Sequence, residues 1–252
     1  MSSEKATAIV LRVVDFSETS AVVTLFTREF GKIGALAKGA RRPKGPFESA
    51  LDLLAVCRIV FLHKSSDALD LLTEAKLHRR FRPAGRDLAS LYAGYYVAEL
   101  LGELTDEDDP HPGLFDAAET TLEQLSGGAA VAPLVLWFEL AALRLLGHLP
   151  SLDVCAECGE AVQPAAERIA FGLLAGGVLC KRCREGKRQV IAVSPRVIQA
   201  LRSFAAENND AWRQLTLERN VQGELRAVLN QYLRHLVGGK LRLHEYLGTI
   251  CT

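Results

Sequence analysis

The sequence predicts an α+β protein: a five-stranded N-terminal sheet over residues 1–80, then a helical part over residues 81–252 with a cysteine module, residues 151–189, inserted in it. Three observations lead there. Short β-branched and aromatic runs broken by turn residues fill the first third of the chain. The apolar period changes to that of a helix after Arg82. Four cysteines then stand as two Cys-x-x-Cys pairs, Cys155/Cys158 and Cys180/Cys183.

The elements follow in order. Ala6–Val14 and Ala21–Thr27 are rich in Val, Ile, Leu and Thr, and Asp15-Phe16-Ser17-Glu18 supplies the turn between them. Glu29-Phe30-Gly31-Lys32 is a second turn signal, followed by a strand at Ile33–Ala37. Ala55–Leu62 and Leu69–Ala75 complete the five. Five short strands suit a small closed barrel, which removes unpaired edges, or an open antiparallel sheet. From Arg82–Pro83 to Thr105, Leu88, Leu91, Tyr92, Tyr95, Tyr96, Leu100 and Leu101 recur at helical spacing. Leu114–Leu125, closed by Gly127-Gly128, and Val131–Leu146, with Gly147 as C-cap, make two more helices. After the cysteines, Ser194-Pro195 reads as a helix start, and Gly223–Val237 carries one apolar face.

Composition bounds the function. Hydrophobic residues at 49% and charged residues at 24% suit an ordinary folded core. There is no apolar run of the roughly 20 residues a membrane helix needs, and Met1-Ser2-Ser3-Glu4-Lys5 lacks the layout of a secretion signal. A cytoplasmic location is expected. The formal net charge is zero, but it is segregated: residues 1–80 carry 13 Lys+Arg against 9 Asp+Glu, and residues 81–150 carry 3 against 11. A basic N-terminal surface for a polyanion follows.

In a reducing compartment, paired cysteines are metal ligands more often than disulfides. Twenty-one residues separate the two pairs of this chain. Four thiolates complete a tetrahedral shell with no open position, which makes one structural Zn2+ the expected cofactor. An iron–sulfur cluster or a redox dithiol pair is the alternative. The stretch between the pairs reads as poor in core-forming residues, so little but a metal would hold it. Lys181, Arg182, Arg184, Lys187 and Arg188 offset the negative charge of such a site. Cys57 reads as a small buried hydrophobe.

The DNA-binding candidates are Lys32, Lys38, Arg41, Arg42 and Lys44. The last four project from a Gly/Pro-rich stretch, Gly39–Pro46 and its flank, beside the sheet, an arrangement that suits tracking of a sugar–phosphate backbone. Of the aromatics Phe16, Phe26, Phe30 and Phe47, one or two are expected to reach solvent and stack on bases. Catalytic signals are weak: there is no Gly-rich phosphate loop, the histidines show no ligand spacing, and Asp106-Glu107-Asp108-Asp109 reads as a solvated loop. A DNA-binding protein that is not an enzyme is the leading reading. A zinc-ribbon regulator of duplex DNA and a protein-interaction adaptor are the other classes.

These pieces, in this order, resemble the bacterial RecO family of DNA repair proteins. The opening strands (Ala8-Ile9-Val10-Leu11-Arg12 and Leu25 to Lys32), the loop Ala37 to Arg42, the helix Tyr95 to Leu100 and Tyr232 to Leu236 near the end carry the resemblance. Its strongest local match is Leu146-Gly147-His148-Leu149-Pro150-Ser151-Leu152 running into Cys155 and Cys158, continued by Phe171 to Cys183. The resemblance implies an OB-type barrel and a helical domain carrying a zinc module. It implies a nucleoid-associated recombination mediator that binds single- and double-stranded DNA and anneals complementary strands. The implied partners are RecR, the C-terminal tail of single-strand binding protein and, indirectly, RecA. Arg202, Arg226 and Arg234, placed by helix position, are the candidates for holding that acidic tail.

Overall fold

The computed structural model describes residues 2–42, 45, 47, 50–64, 68–162, 168–206, 210–239, 241–243 and 246. Two compact units divide the chain, Met1–Val131 and Ala132–Thr252.

The first unit is built on five strands: β1 (Ser2–Asp15), β2 (Ala21–Thr27), β3 (Gly31–Ala37), β4 (Val56–His63) and β5 (Asp70–Arg79). They close into a barrel in the order β1-β2-β3-β5-β4, so the open-sheet alternative is excluded. Closure depends on the length of β1. Its C-terminal half pairs with β2, from Ala8 opposite Thr27 to Asp15 opposite Ala21. Its N-terminal half pairs with β4, from Ser2 opposite His63 to Ile9 opposite Val56. A bulge between Val10 and Arg12 bends the strand between its two partners. This also explains why β1 starts at Ser2 and not at Ala6: β4 supplies partners for backbone groups that no local pattern announces. β3 joins β5 in parallel, which completes the circle.

Ala8, Val10, Val23, Leu25, Ile33 and Phe61 point inward and fill the barrel. Ile9, Phe26 and Val56 sit side by side on the outer surface, yet they are fully buried. Helices cover them: the Phe26 ring stacks on Phe115 at 6.2 Å.

The helices α1 (Leu88–Leu104) and α2 (Pro112–Ser126) belong to this unit. α1 begins five residues beyond Pro83, later than the sequence suggested. A 3-10 turn at Ala84–Arg86 intervenes, and Asp87 is the N-cap, accepting from the Ala89 N–H at 3.2 Å and the Ser90 N–H at 3.0 Å. The acidic loop after α1 is docked on β3, for the Asp108 N–H donates to the Lys32 carbonyl at 3.0 Å. Gly31, at φ +71°, allows this approach, because a Cβ there would lie 2.2 Å from the Asp109 carbonyl oxygen.

The second unit carries most of α3 (Val131–Leu145), then β6 (Ile169–Gly172), β7 (Gly177–Leu179), β8 (Val190–Val193), α4 (Pro195–Ala205) and α5 (Arg219–Val237). The three strands form an antiparallel sheet in the order β7-β6-β8. The cysteine segment is therefore not poor in core, as its composition suggested: Ile169, Phe171, Val178 and Leu179 are buried, and the Phe171 ring meets Tyr232 of α5 edge-on at 6.0 Å. Inside this unit Glu139 of α3 is 0% exposed and is gripped by both terminal nitrogens of Arg226 from α5.

Candidate functional site

The four module cysteines converge. The first turn is closed by the Gly159 N–H donating to the Cys155 carbonyl at 2.9 Å, with Gly159 at φ +73°. The Ala156 N–H donates to the Val178 carbonyl at 2.9 Å, which ties that turn to β7. β7 ends one residue before Cys180, and the Arg184 N–H closes the second turn on the Cys180 carbonyl at 3.1 Å. Folding of β6 and β7 thus brings together two pairs that stand far apart in sequence.

All four sulfurs lie within 4.8 Å of one another, and those of Cys158 and Cys180 are 3.8 Å apart. A tetrahedron with metal–sulfur bonds of about 2.3 Å has edges of about 3.8 Å, so the cage has the size such an ion needs. Among the described residues no other group of three or more His, Cys, Asp or Glu side chains is so arranged. His148 stands outside the cluster, and its carbonyl accepts from the Tyr232 hydroxyl at 2.9 Å.

Protonation is uneven across the four thiols. Burial works to raise the Cys155 thiol, but the backbone N–H groups of Cys180, Cys158 and Glu157 outweigh it and bring it down to about 6. Cys183 is pushed up to about 12, first by hydrogen bonding to the Cys180 and Cys158 sulfurs. One sulfur ionises readily and the last resists, a conflict that a bound cation removes. Of the five basic residues around the second pair, Arg182 is held protonated by the Cys158 sulfur and by Glu160 at 3.0 Å, and Lys187 pairs with Glu157 at 2.7 Å.

The basic candidates of the barrel fall into two groups. Lys38, Arg41 and Arg42 are exposed on the loop after β3. That loop is fastened to the β1–β2 turn: the Arg41 N–H donates to the Thr19 carbonyl at 3.1 Å, and its guanidinium pairs with Asp15 at 3.0 Å. Phe16, in the same turn, is 65% exposed, whereas Phe26 and Phe47 are core and Phe30 is half-buried against Phe61. One aromatic of the four thus reaches solvent, beside the cations. Lys32 stands apart, at the other end of β3. Its ammonium is drawn inward to the Gly102 carbonyl at 2.7 Å and to that of Thr105, and there it caps the C-terminus of α1. Lys44 lies outside the described residues.

The three helical arginines are not equivalent. Arg226 is 8% exposed and engaged with Glu139, so it is no rim residue. Arg202 is half-buried, donating to the Leu152 carbonyl at 2.6 Å and paired with Asp153 at 2.9 Å. Arg234 is exposed beside Gln231 and His235 near the end of α5. No spacing in the sequence distinguished Arg226 from the others, because its partner lies 87 positions away.

Comparison with known proteins gives a consistent result over the whole chain. Residues 1–81 match the family description Recombination protein O N terminal, and residues 85–245 match Recombination protein O C terminal. A protein of Rhodopirellula baltica named DNA repair protein RecO is 44% identical over 95% of this chain and 97% of its own length. Proteins of the same name from Anaeromyxobacter dehalogenans and Halalkalibacterium halodurans are 32% and 29% identical, over 99% and 98% of this chain and 98% and 94% of their own lengths.

Proposed function

The chain belongs to the recombination protein O family of DNA repair proteins, and from that premise we propose that it is a recombination mediator that binds single- and double-stranded DNA and anneals complementary strands without covalent chemistry. The observation that carries this reading is the exposed set Lys38, Arg41 and Arg42, held against the turn that presents Phe16. Cations fixed on a folded loop lower the repulsion between two phosphate backbones, and base pairing then proceeds by itself. An exposed ring beside them offers a face on which an unpaired base stacks.

Lys32 has a structural part in this reading, as the cap of α1, and the loop cations meet the phosphates. The cation of the cysteine cage is Zn2+, for four thiolates in a closed tetrahedral shell are its usual structural ligands. Its contribution is a cross-link between the two turns. The acidic tail of single-strand binding protein is assigned to the helical part, with Arg202 and Arg234 as candidate contacts. A groove of about 250 Å3 along α4 and the approach to α5, lined by Ala200, Leu215, Leu217 and Val221 with the ion pair Arg196–Glu218 at its edge, offers an apolar bed for the aromatic end of that tail. Joint action with RecR, and through it RecA loading, completes the proposal.

A strand-annealing assay with a salt titration tests it. Four phosphates contacted by Lys38, Arg41, Arg42 and Lys44 give a slope of log K against log salt of roughly −3 on single strands, at about 0.7 per phosphate. Arg41→Gln with Arg42→Gln is expected to reduce that slope by about 1.4 and to slow annealing. Phe16→Ser is expected to weaken single-strand binding about tenfold or more and leave duplex binding nearly unchanged. Indifference of the purified protein to oligonucleotides in dilute buffer overturns the reading in favour of a protein adaptor.

A further inference from the structure

A second basic surface lies on the barrel, away from the loop. The outer wall made by β1, β4 and β5 holds a groove of about 590 Å3, lined by Lys5, Thr7, Arg58 and Lys76 together with Glu29 and Glu74. Register places the cations closely: Thr7 lies opposite Arg58, Arg58 lies directly opposite Lys76, and Lys5 is two residues along β1 from Thr7. All three cations are exposed, and none of their side chains has a hydrogen-bonding or ion-pairing partner among the described residues. Of the two acids, Glu29 is turned to the Thr7 N–H at 2.9 Å, and Glu74 stands in the next row, beyond Val60.

Like charges facing each other across neighbouring strands destabilise a sheet. A fold that keeps Arg58 opposite Lys76 with no carboxylate among the described residues ion-paired to either, Glu74 standing one row away, leaves room for a ligand to supply the counter-charge. We propose that this wall binds the sugar–phosphate backbone of a DNA strand, as a second site distinct from the loop. The inference rests on the reading of the chain as an annealing protein. β1 separates the two sites: Lys5 stands near its start and Asp15, the partner of Arg41, at its end. Ten residues of strand cover about 33 Å, further than one phosphate-to-phosphate step can bridge. One barrel thereby holds two backbones on different surfaces, and annealing brings two backbones together.

The test uses the full chain and a thymidine trinucleotide, too short to span both surfaces. The unmodified protein is expected to bind two molecules per chain. Arg58→Gln with Lys76→Gln is expected to bind one, with annealing slowed about tenfold, and so is Arg41→Gln with Arg42→Gln. The DNA-free melting temperature of the first variant should be equal to the parent or higher, since a repulsion is removed; a purely structural role for these residues predicts a fall. Two trinucleotides still bound by the Arg58/Lys76 variant overturn the inference and leave the loop site standing. So does loss of affinity for phosphatidylglycerol vesicles or for a polyglutamate peptide with DNA binding unchanged. A parent protein that binds no trinucleotide sinks both readings.

Discussion

Cys155 and Cys158 are separated by two residues, yet the first is buried and the second exposed. The cage is therefore open to solvent on one side. Acid is expected to empty it: thiols must lose their protons to bind a cation, so occupancy falls as pH drops. Metal analysis across pH checks this, with one Zn2+ per chain expected at neutral pH. Cys57 behaves in the opposite way. Its thiol donates to the Ala50 carbonyl at 2.8 Å, and burial pushes it up to about 12. Alkylating reagents should accordingly modify the module cysteines after chelation and spare Cys57 until the barrel unfolds, as mass spectrometry would show. Glu139→Gln leaves the buried Arg226 guanidinium without its anion and is expected to cost about 3–5 kcal/mol in chemical denaturation.

At the scale of elements, close approach decides more than propensity. Gly94 is in the interior of α1, where alanine is intrinsically better by about 1 kcal/mol. A Cβ there would lie 2.6 Å from the Phe81 ring, so Gly94→Ala is expected to destabilise by about 1–3 kcal/mol in spite of the helix gain. Gly31→Ala meets backbone, not a side chain, at a positive φ, and should cost more. Urea titrations of the two variants test that order. The strands β2 and β3 were legible almost to the residue, because each alternates inward and outward faces between turn signals. The start of α1 was not. Asp87 is an ordinary N-cap type next to the first stripe residue, Leu88, but Pro83 offers an earlier start signal, and only the intervening 3-10 turn separates the two.

For the whole molecule, the cysteine cage should couple metal to the fold of the second unit. Both tryptophans are there, Trp137 stacked on Trp212 at 5.7 Å, so their fluorescence reports on that unit alone. Chelation is expected to lower its melting temperature and shift the tryptophan emission; substoichiometric metal with an unchanged melt would refute a structural role. The sequence by itself determined the strand-rich first part, the helices, the two cysteine pairs and the basic loop, since each is written in local spacing: a period, a turn, a pair of cysteines two residues apart. Tertiary structure alone decided that β1 serves two partners and closes the barrel. It alone turned Lys32 inward to a helix end, buried Arg226 on Glu139, and set Arg58 against Lys76. Those outcomes depend on residues distant in the chain meeting across strands and helices, and no periodicity along one segment encodes what will lie opposite it.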